Sequence, residues 1–177
     1  MNRYLVVFII SIVFAGMLYS VPVRAEDQPF QLALIHPVQI RGEEEGITIL
    51  RFNLIYGKNV SIKGIDFGIA NHLTGGVSKG LQFGLIGLVG GDFIGWMDNA
   101  VNIVDGTFEG LQSGFFNGLG DGEAVQFGFV NSARDMKGFQ LGIVNVTESM
   151  HGLQIGVLNI IKSKERFSIL PIVNWYF

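Results

Sequence analysis

Residues 138–159 read GFQLGIVN-VTESMH-GLQIGVLN, so one eight-residue phrase occurs twice with six residues between the copies. Aligning the chain on G-h-Q-h-G-h-h-N (h, apolar) gives seven copies, called repeats below, whose starts lie 16, 15, 15, 14, 14 and 14 residues apart. A fixed period of this kind is typical of repeat architectures. The repeats are GIDFGIAN (64–71), GLQFGLIG (80–87), GWMDNAVN (95–102), GLQSGFFN (110–117), AVQFGFVN (124–131), GFQLGIVN (138–145) and GLQIGVLN (152–159).

Within each repeat, apolar residues alternate with small or polar ones. In the last repeat Leu153, Ile155 and Val157 share one face, and a period of two residues predicts a β-strand. Short segments rich in Gly and polar residues, such as 74–76 and 120–122, separate the repeats and predict turns. Residues 31–40 and 46–57 also read as strands. The sequence therefore predicts an all-β domain.

Two architectures are compatible with one strand per repeat, and an up-and-down antiparallel outer-membrane β-barrel of about 8–10 strands is the first prediction. A strand of ten residues rises about 33 Å, and a tilt of about 40° reduces this to about 25 Å, the height of a typical outer-membrane apolar band. The Leu, Ile, Val and Phe face would contact lipid, and the Gln and Gly face would line a narrow lumen.

The alternative is a β-solenoid with coils of about 14 residues, in which equivalent residues of successive coils stack. It predicts a ladder of Asn117, Asn131, Asn145 and Asn159 around a core of Leu, Ile and Val. Asp98 favours this alternative, because the barrel would place it on the lipid-facing side, where a charge is costly.

Residues 1–25 have the three parts of a cleaved signal peptide: a positive Arg3, an apolar run from Leu5 to Tyr19, and Val23-Arg24-Ala25 before the cleavage site. A membrane-spanning helix needs about 20 apolar residues, more than this run has. We therefore expect residues 26–177 to form a single repeat-built domain that is exported to the bacterial outer membrane or cell surface.

Composition excludes several classes of protein. Without Arg3 and Arg24, 12 − 2 = 10 basic residues face 15 acidic ones, a net charge of −5. We therefore predict no nucleic-acid partner, since binding to a phosphate backbone needs clustered Lys and Arg. The absence of cysteine excludes a disulfide-stapled scaffold.

No arrangement of residues predicts a catalytic, cofactor or metal site, so the protein is predicted not to be an enzyme, and its ligand stays open. His36, His72 and His151 lie on different predicted strands without ligand spacing. Asp105, Asp121 and Glu123 lie in Gly-rich turns that could hold calcium, although solvated carboxylates are the favoured interpretation. Residues 162–166 (KSKER) read as a charged turn. The recurring glutamines are predicted to supply structural hydrogen bonds rather than to line a pore or ligand surface. They are Gln82, Gln112, Gln126, Gln140 and Gln154.

The phrase GLQIGVLN at a spacing of about 14 residues resembles the bacterial surface-repeat proteins first labelled in Leptospira. The resemblance covers residues 46–177, including RFNLIYGKN (51–59) and LPIVNWYF (170–177). It implies an exported, envelope-associated protein and brings no catalytic residues. The aromatic end VNWYF (173–177) also resembles the signal read by the outer-membrane assembly machinery, which would make that machinery a partner.

The predicted function is a non-enzymatic envelope or surface protein: a small outer-membrane barrel in contact with outer-membrane lipid, with a structural or weakly pore-forming role. The alternative function is a secreted or envelope-attached solenoid that acts as a binding or adhesion module.

Overall fold

The computed structural model describes residues 27–177, so the predicted signal peptide (1–25) lies outside the described residues. The described chain is built from strands and turns. The strands are β1 (Gln28–Ile35), β2 (Val38–Gln39), β3 (Ile47–Asn59), β4 (Lys63–Leu73), β5 (Val77–Val89), β6 (Asp92–Ile161) and β7 (Ile169–Tyr176). Residues 27–177 contain no helix that is long and apolar enough to cross a membrane.

Successive repeats stack on one another in parallel. Gly64 of β4 pairs with Gly80 of β5, and Gly80 pairs with Gly95 at the start of β6, so each repeat lies directly on the previous one. β6 is one long extended segment that continues through successive turns. An up-and-down barrel would need antiparallel neighbours. The barrel prediction is therefore wrong, and the alternative, a β-solenoid, is confirmed.

The physical reason for this outcome lies in the connecting segments. They do not reverse the chain as hairpin turns would; they stay extended and bend at a corner, so that 14 to 16 residues complete one turn. The first glycine of most repeats forms one such corner. Gly80 has φ +135°, and a Cβ there would overlap the carbonyl oxygen of Gly64 in the turn below.

The interior has two halves of different chemistry. Numbering each repeat from 1 to 8, the Gln at position 3 and the Asn at position 8 point inward and are buried. The segments that join the repeats fill the other half with apolar side chains, and Phe93 stacks on Phe108 with 6.0 Å between ring centroids. This apolar core also includes Ile62, Leu73, Val89, Val104, Leu119 and Met136.

Strands with antiparallel pairing lie at both ends of the stack. β1 pairs in parallel with β3 and carries β2 on its other side in antiparallel orientation. At the other end, β7 runs antiparallel to the last repeat, with Leu153 opposite Trp175. The order of strands in the sheet is β2-β1-β3-β4-β5-β6-β7.

Candidate functional site

Four of the five repeat glutamines form a continuous hydrogen-bonded ladder. Gln154 Nε2 donates to Gln140 Oε1 (2.7 Å), Gln140 Nε2 to Gln126 Oε1 (2.6 Å), and Gln126 Nε2 to Gln112 Oε1 (2.8 Å). Buried amides favour partners inside the protein, and each turn supplies one to the next, up to the last glutamine of the ladder, whose Oε1 is buried without a partner among residues 27–177. These side chains have no exposed surface to offer a ligand, in agreement with the structural role predicted for them.

The predicted asparagine ladder is confirmed. Asn117 Nδ2 donates to Asn131 Oδ1 (2.9 Å), Asn131 Nδ2 to Asn145 Oδ1 (2.8 Å), and Asn145 Nδ2 to Asn159 Oδ1 (2.7 Å). Each of these amides also donates to a backbone carbonyl of the following turn; for Asn131 this is the Leu141 oxygen, at 3.0 Å. The donors of this ladder point toward the carboxyl end of the chain, whereas those of the glutamine ladder point toward the amino end.

A buried ion pair lies at the amino end of the same column, beyond Gln82, and Met97 separates it from the Gln112–Gln154 ladder. Arg51 Nε donates to Asp66 Oδ1 (2.8 Å) and Arg51 Nη2 to Asp66 Oδ2 (2.6 Å), and both side chains have no exposed surface. Arg51 Nη1 donates to the His72 carbonyl oxygen (3.0 Å), and Asp66 also accepts from Gln82 Nε2 (2.9 Å). The pair is therefore bidentate and hydrogen-bonded on both sides, the arrangement that makes buried charges tolerable.

The third repeat departs from the pattern in a compensated way. Met97 stands at position 3 and Asn99 at position 5, where the other repeats have Gly, and the preceding repeat ends in Gly87 instead of Asn. Asn99 Nδ2 donates to Gln82 Oε1 (3.2 Å) and to Asn102 Oδ1 (2.7 Å), so Asn99 starts the asparagine ladder beside Gly87. A Cβ on Gly87 would lie only 2.6 Å from Asn99 Nδ2, which explains why the missing Asn and the extra Asn occur together.

The outward surface of the repeats is a continuous band of apolar side chains, which we call the apolar edge and define as positions 2, 4, 6 and 7 of the seven repeats. Within it only Asp98 and Ser113 are polar. Phe115 is 59% exposed and Val157 is 71% exposed. Aromatic rings stack between turns, with centroid distances of 5.1 Å for Phe67–Phe83 and 4.5 Å for Phe115–Phe129. The apolar edge extends onto β3 through further exposed apolar side chains. These are Leu50, Phe52, Leu54 and Ile55.

An apolar pocket of about 400 Å³ lies at the amino end of this edge. Strands β1, β2 and β3 form it, and Gln39 is its one polar side chain. Gln39 Nε2 donates to the carbonyl oxygens of Arg41 (2.6 Å) and Lys58 (2.9 Å). The apolar lining consists of Leu32, Ala33, Leu34, Val38, Ile40, Phe52 and Leu54.

Most of the exposed charged side chains lie on the segments between repeats, and we call this surface the charged edge. It includes Asp121, Glu123, Arg134, Lys137, Glu148 and Lys162. Lys137 Nζ lies 3.1 Å from Glu123 Oε1, and Lys162 Nζ lies 3.6 Å from Glu148 Oε1. Asp121 pairs with Arg134, and the hydrogen bond from that guanidinium lowers the pKa of the Asp121 carboxyl. Asp121 and Glu123, considered as calcium ligands from the sequence, are thus each paired with a cation of the next turn.

His36 and His72 both lie beside the Tyr56 ring, with centroid distances of 6.3 and 6.1 Å, whereas His151 lies elsewhere. His72 Nδ1 is 2.7 Å from the Tyr56 hydroxyl, and burial, assisted by the nearby Lys58 and Arg51 cations, lowers the pKa of His72. His36 Nε2 is 3.4 Å from Glu43 Oε2, and the His151 ring packs edge-on against the Phe177 ring. Within residues 27–177 no group of three His, Cys, Asp or Glu side chains is arranged to hold a metal ion.

The outward orientation of the Leu, Ile, Val and Phe face was part of the barrel prediction. The continuation of the apolar edge onto position 7 and the Arg51–Asp66 pair are the two features that the sequence analysis missed. The signal for the edge was present, because positions 6 and 7 of every repeat are both apolar, and two adjacent apolar residues cannot both alternate inward. No family model, curated protein or solved structure matches the chain.

Proposed function

We propose that this chain is an exported, envelope-attached β-solenoid without enzymatic activity, and that it works as a binding module through its apolar edge. The observation that carries the proposal is the size and continuity of that edge. Each of the seven repeats has at least one large apolar side chain on this edge that is 37–71% exposed, and together with the partly exposed ones these side chains present on the order of 1,500 Å² of apolar surface. The largest apolar patch of a typical monomer is about 300–600 Å² and is often functional.

Two features of the sequence support the envelope location. Residues 1–25 have the composition of a signal peptide, and the repeats resemble those of bacterial surface-repeat proteins. We do not extend the proposal to a pore, since the Gln and Asn ladders fill the part of the interior that the barrel hypothesis treated as a lumen. A rigid solenoid suits a binding role because its stacked turns hold the surface side chains at fixed spacing.

The proposal is tested by locating variants of the protein in fractionated cells. Phe115→Ser with Phe129→Ser removes apolar area from the edge and should move the protein from the envelope fraction into the buffer wash. The matched control, Lys137→Ser with Lys162→Ser, changes two exposed side chains on the charged edge and should leave the protein in the envelope fraction. Circular dichroism of both variants should be unchanged. An edge variant that folds and is retained as well as the wild type would contradict the proposal.

A further inference from the structure

We infer that the partner of the apolar edge is a lipid surface, and that the solenoid inserts this edge into one leaflet with its axis parallel to the membrane. The charged edge would then remain in water. This inference rests on the proposed function, because it names the partner of the same surface. Its basis is the distribution of polar and apolar side chains on the inside and the outside of each turn.

The repeats have an inverted arrangement of polar and apolar groups. Beneath the apolar edge the interior consists of amides, namely the Gln112–Gln154 and Asn117–Asn159 ladders. Beneath the charged edge the interior is apolar and contains Phe93 and Phe108. A solenoid surrounded by water gains most stability from burying its large apolar side chains, because that burial is the main favourable term in folding. Apolar side chains outside and hydrogen-bonded amides inside are expected where the surroundings are hydrocarbon.

The shape of the edge favours a fluid apolar phase over a second copy of the chain. Each turn consists of straight strand segments, called walls here, that meet at corners. Position 6 is the last residue of one wall and position 7 is the first residue of the next, so the apolar surface continues around a convex corner. Phe115 and Phe116 form this corner in one repeat, and Ile143 and Val144 form it in another. A second copy packed against one wall would leave the other wall exposed to water. Lipid chains can cover both walls at once.

The backbone on either side of the corner meets the requirement that hydrocarbon imposes, namely that peptide groups are hydrogen-bonded within the protein. Residues Gly80–Gly84 and Ile86 pair with both the preceding and the following turn, so their peptide groups lie within the sheet, whereas Leu85 at the corner stands in neither register. A backbone group without a hydrogen-bond partner is strongly unfavourable in lipid. Four residues separate positions 2 and 6, a rise of about 13 Å, which is of the order of the 5–10 Å to which interfacial elements are inserted.

Asp98 is the one charged residue on the edge, and it provides a test by gain of binding. Asp98 pairs in register with Phe83 on the neighbouring turn, so a leucine at 98 would continue the apolar column. Asp98→Leu should strengthen binding to vesicles of pure phosphatidylcholine about tenfold or more, and Phe127→Asp should weaken it about tenfold or more. The neutral lipid removes electrostatic attraction, so binding should be unchanged between about 0.1 and 0.5 M salt.

The experiment is vesicle flotation of the full exported protein combined with tryptophan fluorescence. The chain has two tryptophans, and Trp96 lies at position 2 of the third repeat, 38% exposed. Trp175→Phe leaves Trp96 as the only reporter. We expect co-flotation, a blue shift of Trp96 emission, and quenching by lipids brominated in the upper part of the acyl chain.

The possible outcomes separate this inference from the proposed function. If the protein does not float with vesicles, and the Phe115/Phe129 variant still loses envelope retention, the edge binds a protein partner and the lipid inference is overturned. If light scattering shows an oligomer that dissociates in that variant, without vesicle binding, the partner is a second copy and the inference is again overturned. If Asp98→Leu leaves flotation unchanged, the edge is not the surface that contacts lipid.

Discussion

The Arg51–Asp66 pair provides the most quantitative prediction about stability. Both side chains are fully buried, and the two hydrogen bonds between them measure 2.8 and 2.6 Å. Arg51→Gln leaves a carboxylate buried without its cation, and Asp66→Gln leaves a guanidinium buried without its anion. Either single change should lower the free energy of unfolding by about 3–5 kcal/mol, the usual cost of breaking a buried ion pair.

The double variant Arg51→Gln/Asp66→Gln should recover most of this loss. Gln82 Nε2 already donates to Asp66, and a glutamine at 66 could accept the same bond and donate onward to a glutamine at 51. That is the arrangement of the Gln112–Gln154 ladder. We expect the double variant to lie within about 1 kcal/mol of the wild type, since uncharged replacements of buried pairs are often neutral.

The assay is urea unfolding followed by circular dichroism, evaluated as a double-mutant cycle. The exposed pair Glu123–Lys137, which also joins neighbouring turns, is the matched control and should give a coupling energy below about 1 kcal/mol. A coupling energy for Arg51–Asp66 as small as that of the control would refute the reasoning, because it would mean that the two charges are not both buried in contact.

Three further predictions concern the corner glycines, the amide ladder and pH. Gly138→Ala should lower the free energy of unfolding in urea by about 1–3 kcal/mol, because φ is +130° and a Cβ would overlap the Ala124 carbonyl oxygen. Gly75→Ala is the control, since a Cβ there meets open space, and it should change the free energy of unfolding by less than about 0.5 kcal/mol. Asn131→Ala should cost about 1–3 kcal/mol, because it leaves neighbouring buried amides without partners; an unchanged unfolding midpoint would contradict the ladder. Burial lowers the pKa of His72, so as the pH falls the unfolded chain binds a proton at this histidine before the folded protein does. The free energy of unfolding should therefore decrease below about pH 6.5. His72→Gln should reduce this pH dependence when unfolding midpoints are compared at about pH 7.5 and 5.5.

The strands and the repeat could be predicted from the sequence because both are local patterns. Period-two alternation in GLQIGVLN identifies a strand without reference to any other part of the chain, and the period shows that each strand has equivalent neighbours. The ladder of Asn117 to Asn159 followed from the same spacing. These predictions needed no knowledge of which strand edges meet.

Strand pairing could not be decided locally, and this is why the barrel prediction was wrong. Strand length and alternation are the same in both architectures, whereas the direction of pairing depends on whether the chain reverses between repeats. The barrel hypothesis nevertheless placed Gln154 and Gly156 inward and Leu153 and Ile155 outward, and the solenoid has the same orientation of these residues. The solenoid hypothesis had the stacking right but expected Leu, Ile and Val to fill the core.

The Arg51–Asp66 pair depends on a register that the sequence does not reveal. Asp66 occupies position 3 of its repeat, but Arg51 lies in β3, outside the seven repeats, and β3 pairs with β4 through an irregular register after Asn53. Arg51 contacts Asp66 because the two residues are in register on neighbouring turns, so the pair can be predicted once the stacking of β3 on β4 is known.

Disulfide formation between neighbouring turns tests whether successive repeats lie in parallel and in register. The chain has no cysteine, so Glu123→Cys with Lys137→Cys introduces a single pair on neighbouring turns, where adjacent strands are about 4.8 Å apart and a disulfide can form. A pair at 123 and 151, two turns apart, exceeds the roughly 7 Å limit between Cα atoms and is the control.

Parallel stacking in register predicts rapid oxidation of the 123–137 pair within the monomer and no reaction of the 123–151 pair. Mass spectrometry and non-reducing gels detect the disulfide. Antiparallel neighbours would instead place residues 123 and 137 at opposite ends of their strands. Failure of the 123–137 pair to oxidise in the folded protein would contradict the solenoid and the interpretation of the apolar edge that depends on it.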